Sequence, residues 1–269
     1  MRKTLLVCII AAFMMGASFC AKAQMEIDPE IASNEQALFE MGQKFIKKNP
    51  EKGRLYFRQV IDAFPQSLYA QRAMLAIADS YYKKGDESNM IIAASEYREF
   101  VSRFPNSPSV PYAQYRIAMT YFTKSKRPGK DQTKTKRALE EFKILITRFP
   151  TTEEAQQAQE KIKECEEKLA MHSFKIAKHY NRVKAYKATI DRLKEILTKY
   201  PNFSKMDQLY YYLADSYYNS KREEQAIPYL RKLITDYPDS KFAKKAIKKI
   251  EEYEEKQEVT KKSSHPKQI

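Results

Sequence analysis

Five times in this chain a large aromatic residue stands directly before a proline, as Phe64-Pro65, Phe104-Pro105, Phe149-Pro150, Tyr200-Pro201 and Tyr237-Pro238, at intervals of 37 to 51 residues. Proline disfavours the α conformation in the residue that precedes it, so each pair predicts the end of a helix. Counting back from the prolines gives one register. Twelve residues before them stand Gly53, Ala93, Ala138, Thr189 and Ala226, all small. Eight before stand Phe57, Tyr97, Phe142, Leu193 and Leu230; five before stand Val60, Phe100, Leu145, Ile196 and Leu233. Steps of four and three put these positions on one helical face. The small residue lets a neighbouring helix approach, and the larger ones fill the space beside it. Ser67, Ser107, Thr152 and Ser240 stand two residues after their prolines, placed to cap the next helix; the fourth unit has Phe203 there and Ser204 one later.

Small, aromatic, apolar and proline positions at these spacings resemble the tetratricopeptide repeat, a helical hairpin that stacks on copies of itself. The expected fold is all-α: a tetratricopeptide-repeat solenoid of about five hairpins, closed by a C-terminal capping helix over "SKFAKKAIKKIEEYEEK". The stretch "ADSYY", found at 78–82 and again at 214–218, falls on the first helix of the second and fifth repeats and is a further mark of the register. Five glycines in 269 residues are too few for the tight turns of a β-rich chain, and 43% hydrophobic residues supply a core.

Departures from the repeat divide the chain. Inside repeat three lies "TKSKRPGKDQTKTK", with Pro128, Gly129 and five lysines, expected to protrude as a loop. No proline or glycine occurs between Pro150 and Pro201, and one long helix is expected from about Glu153 to Tyr180. The expected organisation is a signal peptide over 1–23, repeats one to three over 33–152, the bridging helix with repeats four, five and the cap over 153–258, and a disordered tail over 259–269.

Arg2 and Lys3 followed by "TLLVCIIAAFMMGASF" read as a secretory signal, with "AKAQ" offering cleavage after Ala23. Cys20 at the end of the apolar run offers a second outcome, acylation after cleavage before the cysteine, although Phe19 fits such a site poorly. Cleavage after Ala23 removes Arg2, Lys3 and Lys22, which takes 49 basic residues to 46 against 34 acidic ones, a net charge of +12. Secretion excludes nucleic acid as the reason for that charge, and the basic residues interleave with acidic ones as on solvated helix faces. Of three cysteines only Cys165 would survive cleavage, so no intrachain disulfide is expected. No catalytic, metal or cofactor site emerges. His172 and His179 lie seven apart without the acidic residue of a zinc motif, and Cys165 reads as a buried structural thiol. No glycine-rich phosphate loop exists.

A secreted five-repeat chain with these departures resembles the BamD family of outer-membrane assembly factors over about residues 33 to 250. The resemblance rests on "FPNSPSVPYAQYRIAMTYF", on the "KDQT" of the insertion, and on "KLAMHSFKIAKHYNRVKAYKATIDRLKEILTKYP". It implies a non-enzymatic scaffold without cofactor at the periplasmic face of the outer membrane, held there by its complex or by a lipid anchor on Cys20. The implied partners are the periplasmic domains of the β-barrel insertase, other subunits of the assembly complex and unfolded outer-membrane proteins. By that resemblance repeats one and two receive the clients' C-terminal signal and repeats three to five dock on the insertase, with Arg192, Asp131 and Gln132 as partner-binding residues. Two other readings remain open at this stage: a periplasmic coordinator of the Tol-Pal type, and the helical domain of a peptidoglycan-processing enzyme.

Overall fold

A computed structural model describes residues 28–264. The signal peptide, Cys20, the cleavage point after Ala23 and the tail beyond Ser264 lie outside the described residues. Every regular element among the described residues is a helix. They are α1 (Pro29–Ala32), α2 (Glu35–Ile46), α3 (Pro50–Ala63), α4 (Leu68–Lys84), α5 (Glu87–Arg103), α6 (Val110–Phe122), α7 (Thr133–Arg148), α8 (Glu153–Arg182), α9 (Tyr186–Lys199), α10 (Met206–Asn219), α11 (Glu223–Asp236) and α12 (Lys241–Ser264).

The aromatic-proline pairs end helices as expected, and all in one way. Phe64, Phe104, Phe149, Tyr200 and Tyr237 share φ between −127° and −138° and ψ between 56° and 66°. Each donates its backbone N–H to the carbonyl of the residue five before the proline, the last bond of its helix. The register residues are the core. Gly53 is buried, and the other fourteen, from Phe57 to Leu233, are all 0% exposed. Caps follow at three of the four predicted positions: Ser67 accepts from the Ala70 N–H at 3.0 Å, Thr152 from Ala155 at 3.3 Å and Ser240 from Phe242 at 3.2 Å. Ser107 differs. Pro108 and Pro111 delay the helix, which starts at Val110 with Ser109 as an N-cap whose side chain makes no capping bond.

Two compact units divide within α4, between Ala76 and Ile77. The first holds the α2/α3 hairpin. Its two glycines are set by close approach: a Cβ on Gly53 would lie 2.7 Å from the Ile46 backbone, and one on Gly42 would overlap the Phe57 ring. Phe39 packs on Phe57 and Tyr69, with centroids 5.4 and 5.5 Å away.

In the second unit, consecutive helices from α5 to α12 pack in chain order, and alternate ones touch as well: α6 with α8, α8 with α10, α10 with α12. That is the pattern of stacked hairpins, in which the first helix of each repeat lies beside the first helix of the next. The long helix runs unbroken from Glu153 to Arg182. It joins its surroundings and does not separate them: Ala158, Ile162 and Cys165 complete a core with α6 and α7, while Ala170, Phe174 and Ala177 belong to the core of α9 to α12. This is why no unit boundary falls at its start. The closing helix reaches Ser264, so the stretch from 259 to 264 is helical and not a disordered tail.

Candidate functional site

Arg192 lies on α9 between the buried Ile190 and the register residue Leu193, which anchor the helix in the core. Its side chain is 36% exposed and stands 3.6 Å from the Glu195 carboxylate, an ion pair beyond hydrogen-bond length. Glu195 is held instead by Lys199, which donates at 2.8 Å. That hydrogen bond first, then the charges of Lys199, Arg192 and Lys136, holds the Glu195 carboxyl below the usual range. The carboxylate is thus shared among cations, and the planar donor fork of Arg192 is left available to an outside acceptor.

The insertion of repeat three does not protrude. Ser125 Oγ accepts from Lys168 Nζ at 2.7 Å, and the Pro128 carbonyl lies 2.7 Å from His172 Nδ1, so the loop is laid along α8. Its charges still face water, but its backbone carbonyls and hydroxyls need partners, and α8 supplies them. Gln132 is the inner staple of this loop. It is 4% exposed, donates to the carbonyls of Arg127 at 3.0 Å and Lys130 at 2.9 Å, and accepts from Thr135 at 2.8 Å. Asp131 is exposed and accepts from the Thr133 hydroxyl at 2.8 Å, an anion at the start of α7. Arg192 stands in the middle of α9 and Asp131 in the loop before α7, and among the described residues no hydrogen bond or ion pair joins them. Cys165 is buried, and burial pushes its thiol up to about 12, so it stays protonated and unreactive.

A further cluster was not apparent in the sequence. Asp79 of the first "ADSYY" accepts from the buried Tyr97 hydroxyl, from Tyr112 at 2.7 Å, and faces Arg116 at 3.7 Å. The Arg116 guanidinium lies 3.6 Å from the centre of the Tyr82 ring and donates to Tyr97 at 3.2 Å. Burial, then the charge and hydrogen bond of Asp79, hold the Tyr97 hydroxyl well above the usual tyrosine range, so it remains a donor. In the second copy, Asp215 pairs with Lys249 at 3.2 Å, and Lys249 lies 4.5 Å over the Tyr218 ring. Arg116 and Lys249 each stand eleven residues after a register proline, Pro105 and Pro238. The recurring cation at that offset was the signal available: "ADSYY" encodes a clasp that grips the following repeat.

A family model described as "YfiO: Outer membrane lipoprotein" matches residues 31–220, which include the loop, α8 and Arg192. The chain belongs to this YfiO/BamD family. A tetratricopeptide-repeat model matches residues 208–240 of this family member, the hairpin of α10 and α11. The "Outer membrane protein assembly factor BamD" of Rickettsia prowazekii is 25% identical over 255 residues, covering 94% of this chain and 98% of that one. That of Caulobacter vibrioides is 27% identical over 221 residues, covering 81% and 72%. Among solved structures, the "TPR2AB-domain:pHSP90-complex of yeast Sti1" aligns at 16% identity with a TM-score of 0.42, covering 83% of this chain and 86% of that one. No helix among the described residues is long and apolar enough to cross a membrane.

Proposed function

We propose that this YfiO/BamD-family chain is a non-enzymatic scaffold of outer-membrane protein assembly, binding the periplasmic domains of the β-barrel insertase and unfolded barrel proteins at the periplasmic face of the outer membrane. The observation that carries the role in assembly is the family match across 31–220. The partner assignment is finer and has its own support. Arg192 sits on a helix fixed by fully buried residues and keeps an unsaturated donor fork at the surface, an arrangement suited to a carboxylate on a partner. Asp131 contributes a charge at the same unit's surface, and Gln132 contributes by holding the loop that presents it. Attachment to the membrane comes through the complex or through acyl chains on Cys20, and mass spectrometry of the mature N-terminus distinguishes the two.

The test is affinity for the purified periplasmic domains of the insertase. Arg192→Glu should weaken binding by about 2–5 kcal/mol if the pair is desolvated, with helicity unchanged. Arg192→Lys should lose less, because an ammonium cannot make two parallel hydrogen bonds to one carboxylate. Equal affinity for the wild type and Arg192→Glu returns Arg192 to the solvated surface.

A further inference from the structure

The segment 124–137, "KSKRPGKDQTKTKR", carries seven basic residues and one acidic residue, Asp131. Part of it borders a cleft of about 310 Å³ between α5, the end of α6 and the start of α7, all within the second unit. The cleft is layered. Met90 and Ala94 form a buried apolar floor, and Ile91 stands at its mouth, 66% exposed. Above them the rim is cationic, with Lys124, Lys134 and Arg137 on one side and Arg98 on the other. Carboxylates answer some of these charges: Glu87 pairs with Lys134, Glu141 with Arg98 at 2.8 Å and Glu140 with Arg137 at 3.3 Å. Lys124, Lys126, Arg127 and Lys130 have no ion-pair partner among the described residues, so the loop side keeps an excess of positive charge.

An exposed isoleucine over an apolar floor, beneath a rim of cations, is complementary to one kind of segment: a large apolar side chain flanked by carboxylates. We propose that this cleft docks an acidic segment of a partner protein, one large apolar side chain entering against Met90 and Ala94 while its flanking carboxylates meet Lys124 and Arg137. The volume lies at the lower end of ligand pockets and suits a single anchoring side chain. The concavity favours a protein segment over a bilayer, because a flat headgroup surface meets the loop lysines without reaching a floor walled by three helices. Arg192 does not line this cleft, so the cleft can be tested independently of the insertase contact.

The test uses fluorescence anisotropy of the purified chain with short synthetic peptides: a phenylalanine centred in a run of Asp and Glu, the same run with serine at the centre, and phenylalanine in a run of lysine. The first should bind, more weakly as salt is raised. The serine version should bind about tenfold more weakly, and the lysine version should not bind. Ile91→Asp and Arg137→Glu should each weaken the phenylalanine peptide about tenfold with helicity unchanged, while Lys244→Glu on the exposed face of α12 should have no effect. Failure of the acidic phenylalanine peptide to bind overturns the proposal. So does equal binding of the serine peptide, or an equal loss with Lys244→Glu, either of which reduces the effect to bulk charge. Binding to phosphatidylglycerol vesicles that Ile91→Asp abolishes would make the surface a membrane contact and overturn it as well.

Discussion

The same five residues, Ala-Asp-Ser-Tyr-Tyr, occupy α4 and α10, yet the two copies hold their neighbours with different strength. Around Asp79 three donors converge, Tyr97, Tyr112 and Arg116. Around Asp215, among the described residues, α12 supplies Lys249 alone. The difference lies outside the shared residues. Tyr97 stands eight before its proline, and the fifth repeat has Leu230 at that offset; Tyr112 stands seven after Pro105, where Lys245 follows Pro238. A third version shows the minimum. Lys161, again eleven after a proline, lies 5.0 Å over the Phe122 ring, but Met119 occupies the place of the aspartate. The cation over the ring is the constant part, the carboxylate is added in two repeats, and the tyrosine hydroxyls in one. Local identity of sequence therefore sets the geometry of the clasp, and the register positions of its neighbours set its strength.

The largest expected difference follows from removing the carboxylates. Asp79→Ala leaves the buried Tyr97 hydroxyl, Tyr112 and Arg116 without their common acceptor, which should cost about 2–3 kcal/mol, water at the partly open Asp79 site recovering some of the loss. Asp215→Ala breaks one partly exposed pair and should cost about 1 kcal/mol. Denaturant midpoints of the two variants measure this directly, and equal losses would break the comparison. Removing the cations should give a smaller contrast. Arg116→Met loses the contact with Tyr82, the bond to Tyr97 and the pair with Asp79, about 1–2 kcal/mol, against about 0.5–1 kcal/mol for Lys249→Met. A greater loss at Lys249 would mean that the closing helix, and not the clasp, governs the fifth repeat.

These contrasts also mark what the sequence made legible. The register was readable because core positions are dictated by periodicity: a small residue twelve before proline and large ones at eight and five leave no alternative face to bury. The long helix was readable because no proline or glycine interrupts the stretch from Glu153 to Tyr180. The loop lies flat where its polarity predicts projection, because lysine and histidine side chains on α8 meet its oxygens. The local bonds of Gln132 were not legible, because a carboxamide meets the turn carbonyls of Arg127 and Lys130 only once the loop has folded around it. The linking role of α8 was not legible, because the absence of a helix breaker gives its length but not the two cores into which it buries apolar residues. The clasp escaped because it joins residues on different helices, Asp79 with Tyr97, Tyr112 and Arg116 and Asp215 with Lys249, and only the distance from each proline, compared across repeats, reveals them.

The smallest effect expected is a gain. Lys249→Arg would give the fifth repeat the cation that the second repeat uses. A guanidinium stacks its plane on a ring and can present parallel donors to a carboxylate, where an ammonium acts as a point charge. The site is already formed: Asp215 stands 3.2 Å from Lys249 Nζ, and both side chains are about one-fifth exposed. Yet Lys256 lies 5.1 Å over the same Tyr218 ring and donates to its hydroxyl at 3.1 Å, so one face of the ring's field is already in use. The gain should therefore be about 0.5 kcal/mol at most, less than the loss from Arg116→Lys in the second repeat. A double-mutant cycle with Tyr218→Leu separates the two contributions. If the ring is responsible, the advantage of arginine disappears when tyrosine is removed; if it persists, the carboxylate alone selects arginine and the two copies of the motif differ only in how many donors Asp79 and Asp215 receive.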